Sequence, residues 1–144
     1  FTLKRNKISV FKDRLRNWVK NNRKENKEAP KRRIDARLEI DDISLSSCNE
    51  IKELGPFGVA NPKPIFMMKD LKLESAKLVG KNENHLKLQV KKRGKIIDGI
   101  GFGMDEEVLE EIRKQKILNP VFKLEENHWQ GKKSIQLHLE DFVL

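Results

Sequence analysis

From residue 65 onward, apolar and polar residues alternate in short runs divided by turn residues, and this rhythm limits what the chain can fold into more than any other feature. Residues 85–91 are the cleanest run. Leu86, Leu88 and Val90 alternate with Lys87, Gln89 and Lys91, which predicts a strand with one apolar and one charged face. Lys92-Arg93-Gly94-Lys95 reads as a hairpin turn. Residues 96–102 read as the next strand, where Gly99 and Gly101 mark curvature or close backbone approach. Upstream, residues 65–80 read as one long strand carrying Phe66, Met68, Leu71, Leu73 and Leu78, with a phase shift near Asp70 that predicts a bulge or bend. Downstream, Asp105, Glu106 and Glu107 open a helix at its positive end, and Arg113, Lys114 and Lys116 close it. Val108, Leu109 and Ile112 give that helix an apolar face. Residues 120–125 read as a fourth strand, residues 127–133 as a polar turn, and residues 134–142 as a fifth strand with Ile135, Leu137 and Leu139 on one face.

Three strands, a helix and two strands is the order of an OB-type barrel. The expected fold is mainly β with helices (α+β): a five-stranded OB-type barrel over residues 65–144, with its helix between the third and fourth strands. An open α+β meander is the competing arrangement. A long bent first strand and a glycine-kinked third favour closure, which would also remove exposed sheet edges.

The preceding residues divide in two. Residues 1–33 hold 13 Lys and Arg against 3 Asp and Glu, so the formal charge of +9 is concentrated there. Ile8, Phe11, Leu15, Trp18 and Val19 fall at helical spacing, which predicts a basic amphipathic helix over residues 7–21 followed by a polar linker. Such a segment suits a polyanion, either nucleic acid or anionic lipid, and a solvated lead-in is the plain alternative. In residues 34–64, Ile34, Ala36, Leu38 and Ile40 alternate as a strand. Ser47 and Glu50 suggest a capping box for a short helix, and residues 55–64 hold three prolines and two glycines, too many for a regular element. Phe57 is expected to plug the junction between the N-terminal segment and the barrel, and Asn61 to hydrogen-bond the loop backbone.

No catalytic constellation is visible. The three histidines are scattered. The run Glu125-Glu126-Asn127-His128 reads as a solvated hairpin tip before it reads as a metal site, and the paired helix acids have a dipole explanation. The lone Cys48 excludes an internal disulfide and a cysteine zinc site, and fits a reducing compartment. No run of 18 apolar residues and no signal peptide is seen. Phe1 at the start, in place of Met, gives the expectation that the chain is a piece of a longer protein. A binding surface remains. Lys87, Lys91, Lys92, Arg93 and Lys95 cluster around one hairpin, and Lys132 and Lys133 flank the turn that holds Trp129. Charge for phosphates and an exposed ring for bases is the pattern of a single-strand binder. The alternatives are ordinary solvated lysines and a tryptophan packed as a lid on the barrel end.

The segment Leu54-Gly55-Pro56-Phe57-Gly58-Val59-Ala60-Asn61-Pro62-Lys63-Pro64-Ile65-Phe66 resembles the Leu-Glu-Pro-Phe-Gly-x-Gly-Asn-Pro-x-Pro-x-Phe signature of RecJ-type exonucleases. Gly80 with Asn84-His85-Leu86-Lys87-Leu88, then Gly99-Ile100-Gly101-Phe102-Gly103, then Asn127-His128-Trp129-Gln130-Gly131 with Gln136-Leu137-His138-Leu139-Glu140-Asp141, are similar to further motifs of that family in the same order. Gly55 stands where the family has glutamate and Ala60 where it has glycine. The resemblance implies a DHH/DHHA1-superfamily parent that degrades single-stranded DNA 5′→3′ in recombination and repair. Mn²⁺ or Mg²⁺ would sit in the parent's catalytic domain, and no cofactor in this chain. It makes residues 1–33 the tail of a DHHA1-type domain, residues 34–64 a connector whose Pro56, Phe57, Gly58, Asn61 and Pro62 are structural, and residues 65–144 the OB domain. The family's Asp-His-His motif is not in this sequence, so the expectation is a chain that binds single-stranded DNA without cutting it. Expected partners are single-stranded DNA and other repair proteins, single-strand-binding protein among them, in the bacterial cytoplasm or nucleoid and with no membrane. An RNA-binding or a protein-docking OB module is the alternative.

Overall fold

A computed structural model describes residues 7–22, 31–129 and 131–143, and their side chains except those of residues 19–22 and 129. The chain forms two compact units, Phe1–Arg32 and Arg33–Leu144. In the first, α1 spans Ile8–Asn22, starting and ending one residue later than expected. Ile8, Phe11 and Leu15 recur along it at helical spacing. Arg16 and Asp13 form an i,i+3 pair at 3.5 Å.

The second unit is a mixed α/β domain. Its strands are β1 (Ala36–Arg37), β2 (Phe66–Met67), β3 (Leu71–Val79), β4 (His85–Lys92), β5 (Lys95–Phe102), β6 (Ile117–Leu118), β7 (Pro120–Trp129) and β8 (Lys132–Phe142). Its helices are α2 (Leu45–Glu53) and α3 (Glu106–Gln115). The strands form one sheet in the order β1-β2-β7-β8-β5-β4-β3-β6. β5 and β8 run parallel, and the long ladders β3–β4, β4–β5 and β7–β8 are antiparallel.

Residues 65–144 carry seven strands, β2 to β8, where five were expected, and with β1 they form a sheet that ends at β1 and β6. The expected strand over residues 65–80 is interrupted at Asp70, whose φ of 58° leaves the extended region. At the same level Pro120, which has no N–H to give a ladder, begins a new strand after Asn119. The Asn119 side chain bridges the interruption: Oδ1 accepts from the Asp70 N–H at 3.0 Å, and Nδ2 donates to the Val143 carbonyl at 3.1 Å. A register shift between Leu73 and Ser75 adds a second irregularity.

Other boundaries move for local reasons. Of the strand expected at residues 34–40, Ile34 and Leu38 are half-buried and Ile40 is fully buried, but Ala36 is exposed and only Ala36 and Arg37 pair, in parallel with β2. The helix after it starts earlier than expected. Ser44 is the N-cap, accepting the Ser47 N–H at 3.1 Å, while the Ser47 hydroxyl donates to the Asp42 carbonyl. The β7–β8 ladder extends to Trp129↔Lys132, past the polar turn expected at residues 127–133, because Asn127↔Ser134 and His128↔Lys133 pair through their backbones. The β4–β5 turn is as expected: Arg93 and Gly94, at φ 49° and 82°, make the two-residue connection that follows strand twist. α3 is capped by Asp105, whose side chain accepts the Glu107 N–H at 3.2 Å.

The core lies on the inner face of the ladders. Leu86, Leu88 and Val90 of β4 meet Leu71, Ile97, Phe122, Leu124, Leu137 and Leu139, with Leu109 and Ile112 of α3 closing one side and Ile40 and Cys48 adding to it. Gly99 belongs to this face because a methyl group there would lie 2.8 Å from Leu88 Cδ1. Burial pushes the Cys48 thiol above its ordinary range, so it behaves as a small apolar side chain. No helix among the described residues is long and apolar enough to cross a membrane.

Candidate nucleic-acid interface

Inward Leu86, Leu88 and Val90 force Lys87, Gln89 and Lys91 to the outer face of β4, as period two requires. Lys87 is exposed and lies directly across from Lys77 of β3 on one side and Ile100 of β5 on the other. Neither Lys77 nor Lys87 forms an ion pair with a described residue. Like charges directly opposed across a ladder weaken it, so the two ammonium groups do not themselves hold the sheet together. Beside it, Ser75 donates to Gln89 Oε1 at 3.3 Å and Gln89 donates to Asp98 at 3.0 Å, lining a shallow depression with Lys77 and Lys87.

On β5, the inward positions are Ile97, Gly99 and Gly101, which sends Ile100 and Phe102 outward. Phe102 is 59% exposed. His85, its cross-strand partner, meets its ring in a T-shaped contact at 5.0 Å, and His138 of β8 does so at 5.2 Å. Each imidazole has a further partner. The Gly103 N–H donates to His85 Nδ1 at 3.3 Å, and His138 Nδ1 lies 3.4 Å from Glu125 Oε1. Burial opposes the charge on Glu125, but the Lys63 ammonium at 2.8 Å and His138 outweigh it and hold the carboxyl below its usual range.

The remaining residues singled out in the sequence do not converge on this patch. Lys92 is only 16% exposed, its ammonium donating to the Lys69 carbonyl at 2.7 Å and to Glu39 at 3.1 Å. Arg93 pairs with Asp41 at 3.2 Å, and Lys95 with the same carboxylate at 2.6 Å. Lys95 first and then Arg93 hold Asp41 below the ordinary carboxylate range. These hairpin cations therefore already have anions and fasten the Glu39–Asp41 turn to the sheet. Lys91 is half-buried at the end of β4, and Lys132 is exposed. Lys133 is bound 2.9 Å from Glu126, which also takes the Lys52 ammonium from α2 and lies 3.1 Å from His128. Glu126 is 6% exposed, and Lys52, then Lys133, hold its carboxyl down to about 2. The Trp129 backbone ends β7, opposite Lys132, and its side chain lies outside the described residues. By strand rise, Lys132 and His138 stand about 20 Å apart along β8, so the Trp129 turn and the Phe102 patch occupy opposite ends of the face. No group of three or more His, Cys, Asp or Glu residues that could hold a metal converges among the described residues.

The Pro-rich loop is fixed from within. Asn61 Nδ2 donates to the carbonyls of Leu54 at 2.9 Å and Pro56 at 3.1 Å, and the Gly58 N–H donates to the Asn61 carbonyl at 2.8 Å. The Gly55-Pro56 bond is cis, and Pro56 and Pro62 are exposed. Phe57 is half-buried and stands apart from the hydrophobic core.

Sequence reasoning missed Lys77 and Phe102. The signal for Phe102 was present: once Gly99 and Gly101 are read as inward, period two sends Ile100 and Phe102 outward.

The chain belongs to the RecJ OB domain family, whose model matches residues 34–141. It is similar to the single-stranded-DNA-specific exonuclease RecJ of Bacillus subtilis (strain 168), with 29% identity over 140 residues, covering 97% of this chain and 18% of that protein. The RecJ of Haemophilus influenzae is 32% identical over 112 residues, covering 76% of this chain and 19% of that protein. Two crystal structures of RecJ from Thermus thermophilus, in complex with Mn²⁺ and with Mg²⁺, share the fold, each at a TM-score of 0.61. Their identities are 19% and 17%, covering 100% and 99% of this chain and 20% and 21% of those chains. The chain thus spans about a fifth of the length of the proteins it matches.

Proposed function

We propose that this domain is the single-stranded-DNA-binding OB domain of a RecJ-type 5′→3′ exonuclease acting in recombination and repair. The observation that carries the reading is the opposed Lys77–Lys87 pair on the outer face. Two ammonium groups held across a ladder without a counter-ion among the described residues are relieved by an incoming phosphate, and the relatives' names state that they act on single-stranded DNA. Joining β2 to β3 and β6 to β7 across their interruptions gives an OB-type barrel of five strands with α3 between the third and fourth. The ladders Phe66↔Phe122 and Leu71↔Leu118, one on each side of Asp70, support this ring.

Nuclease chemistry, with Mn²⁺ or Mg²⁺, belongs to the part of the parent outside this chain, residues 1–33 being the tail of the domain before it. The setting is the bacterial cytoplasm. Lys91 and Lys132 add long-range attraction, the basic residues of α1 add to the chain's overall positive charge, and Trp129 is a candidate base contact. Binding of labelled dT oligonucleotides, duplex DNA and single-stranded RNA at two salt concentrations tests the reading. Salt-sensitive preference for single-stranded DNA is expected. Equal binding of RNA would favour an RNA module, and binding to none of the three would end the proposal.

A further inference from the structure

The lysine pair accounts for the sugar–phosphate chain but not for how unpaired bases are recognised. Phe102 is large and apolar, and it ends a strand whose other outward neighbour, Ile100, is half-buried. It is nevertheless 59% exposed, on a face and not in a loop. Its ring is not free to swing, since His85 and His138 contact it from two neighbouring strands at 5.0 and 5.2 Å, with interplanar angles of 71° and 83°. His85 is itself anchored by the Gly103 N–H. An exposed ring held in place by flanking rings loses little conformational freedom when something stacks on it.

We propose that Phe102, framed by His85 and His138, is a stacking subsite for one unpaired base, with that nucleotide's phosphate between Lys77 and Lys87. This rests on the reading of the domain as a single-strand binder and specifies where a base sits. Phe102 lies opposite His85, and Lys87 follows His85 by two residues on β4. Strand geometry therefore puts the backbone positions of Phe102 and Lys87 about 8 Å apart, with Lys77 one strand further on at about 12 Å, so flexible lysine stems can meet the phosphate of a nucleotide whose base lies on the ring. The positive pair fixes the occupant's charge and the ring its flat apolar part. A duplex presents no free base face, so the subsite selects single strands by what it stacks.

The test is a cycle on the 144-residue chain, with Phe102→Ala and Phe102→Trp measured by fluorescence anisotropy on a dT oligonucleotide and on an abasic oligonucleotide of the same length. Loss of one stacked base corresponds to about a fivefold to hundredfold weakening. Phe102→Ala should show that weakening on dT at every salt concentration, with an unchanged slope of log K against log salt, and no weakening on the abasic strand. Phe102→Trp should restore binding to dT. Thermal melts check that both variants fold. If the parent chain binds dT and Phe102→Ala binds it equally well, the stacking subsite is wrong while single-strand binding stands. An equal loss on abasic DNA also overturns it, making Phe102 a support for the lysine face. If the parent binds neither strand, both readings fall. If Phe102→Ala leaves DNA binding intact and instead abolishes self-association in sedimentation, the ring belongs to a protein contact.

Discussion

Removing Lys87 should leave the domain as stable or slightly more stable, and make it a poorer DNA binder at once. Lys77 and Lys87 are direct cross-strand partners on the outer face. With ammonium groups about 6 Å apart in a solvent-like dielectric, their repulsion is about 0.7 kcal/mol, and screening at physiological salt reduces this to about 0.3 kcal/mol. Lys87→Ala relieves that amount and gives up some strand-covering alkyl surface, so the melting temperature should stay level or rise by about a degree. For DNA the sign reverses. Each phosphate contact with a single strand contributes about 0.7 to the slope of log K against log salt, or about fourfold in affinity at roughly 0.15 M. Anisotropy titrations with dT over roughly 50–300 mM salt would show a slope shallower by about 0.7, and Lys77→Ala would give a similar shift. A Lys87→Ala protein that melts several degrees lower, with its salt slope unchanged, would show that the lysine stem holds the sheet and that the pair meets no phosphate.

Gly99→Ala should cost about 1–3 kcal/mol, because the new methyl would lie 2.8 Å from Leu88 Cδ1 and 3.4 Å from Leu139 Cδ1 in the core; an unchanged denaturation midpoint would refute the close approach. Arg93→Ala should leave the DNA salt slope almost unchanged and lower stability slightly, since Arg93 already pairs with Asp41; a slope loss as large as that of Lys87→Ala would show that DNA displaces the acid. Acid should unfold the domain through Glu126. Its folded carboxyl is lowered from 4.5 to about 2, so its contribution is present above pH 4.5 and is lost as pH falls through about 2. Glu126→Gln should destabilise at neutral pH and flatten melting temperature against pH across that window, and parallel curves for the two proteins would refute the link.

Much of the fold was legible because its signals are local. Alternation at residues 85–91, the Arg93-Gly94 turn and the acid-to-base gradient along α3 each need only neighbouring residues to be read. The breaks were not legible as breaks. Asp70 announced a phase shift, but the partner that bridges it, Asn119, is 49 residues away. The β7–β8 hairpin reached further than its hydrophobic pattern because Asn127, His128 and Lys133 hold the ladder by backbone bonds that side-chain polarity conceals. The candidate site divides the same way. Lys87 stands out on its own strand, whereas its facing Lys77 and the rings around Phe102 are assembled by register across neighbouring strands. The hairpin cations looked available only because Glu39 and Asp41, their counter-ions, lie more than 50 residues upstream.

The parallel join between β5 and β8 comprises three residue pairs, Asp98↔Gln136 to Ile100↔His138. Before that join the two strands are not paired with each other, and the groove there is lined by Ile40, Ile43, Ile96, Ile97 and Ile135 together with Lys95, Asp98 and Ser134. A short seam beside an apolar cleft is where a sheet unzips first and where a stray strand from another molecule finds both hydrogen-bonding edges and apolar cover. Lys95, Asp98 and Ser134 are part of that groove's lining, so a strand arriving from another copy meets charge beside the apolar surface, a feature that discourages edge-to-edge pairing.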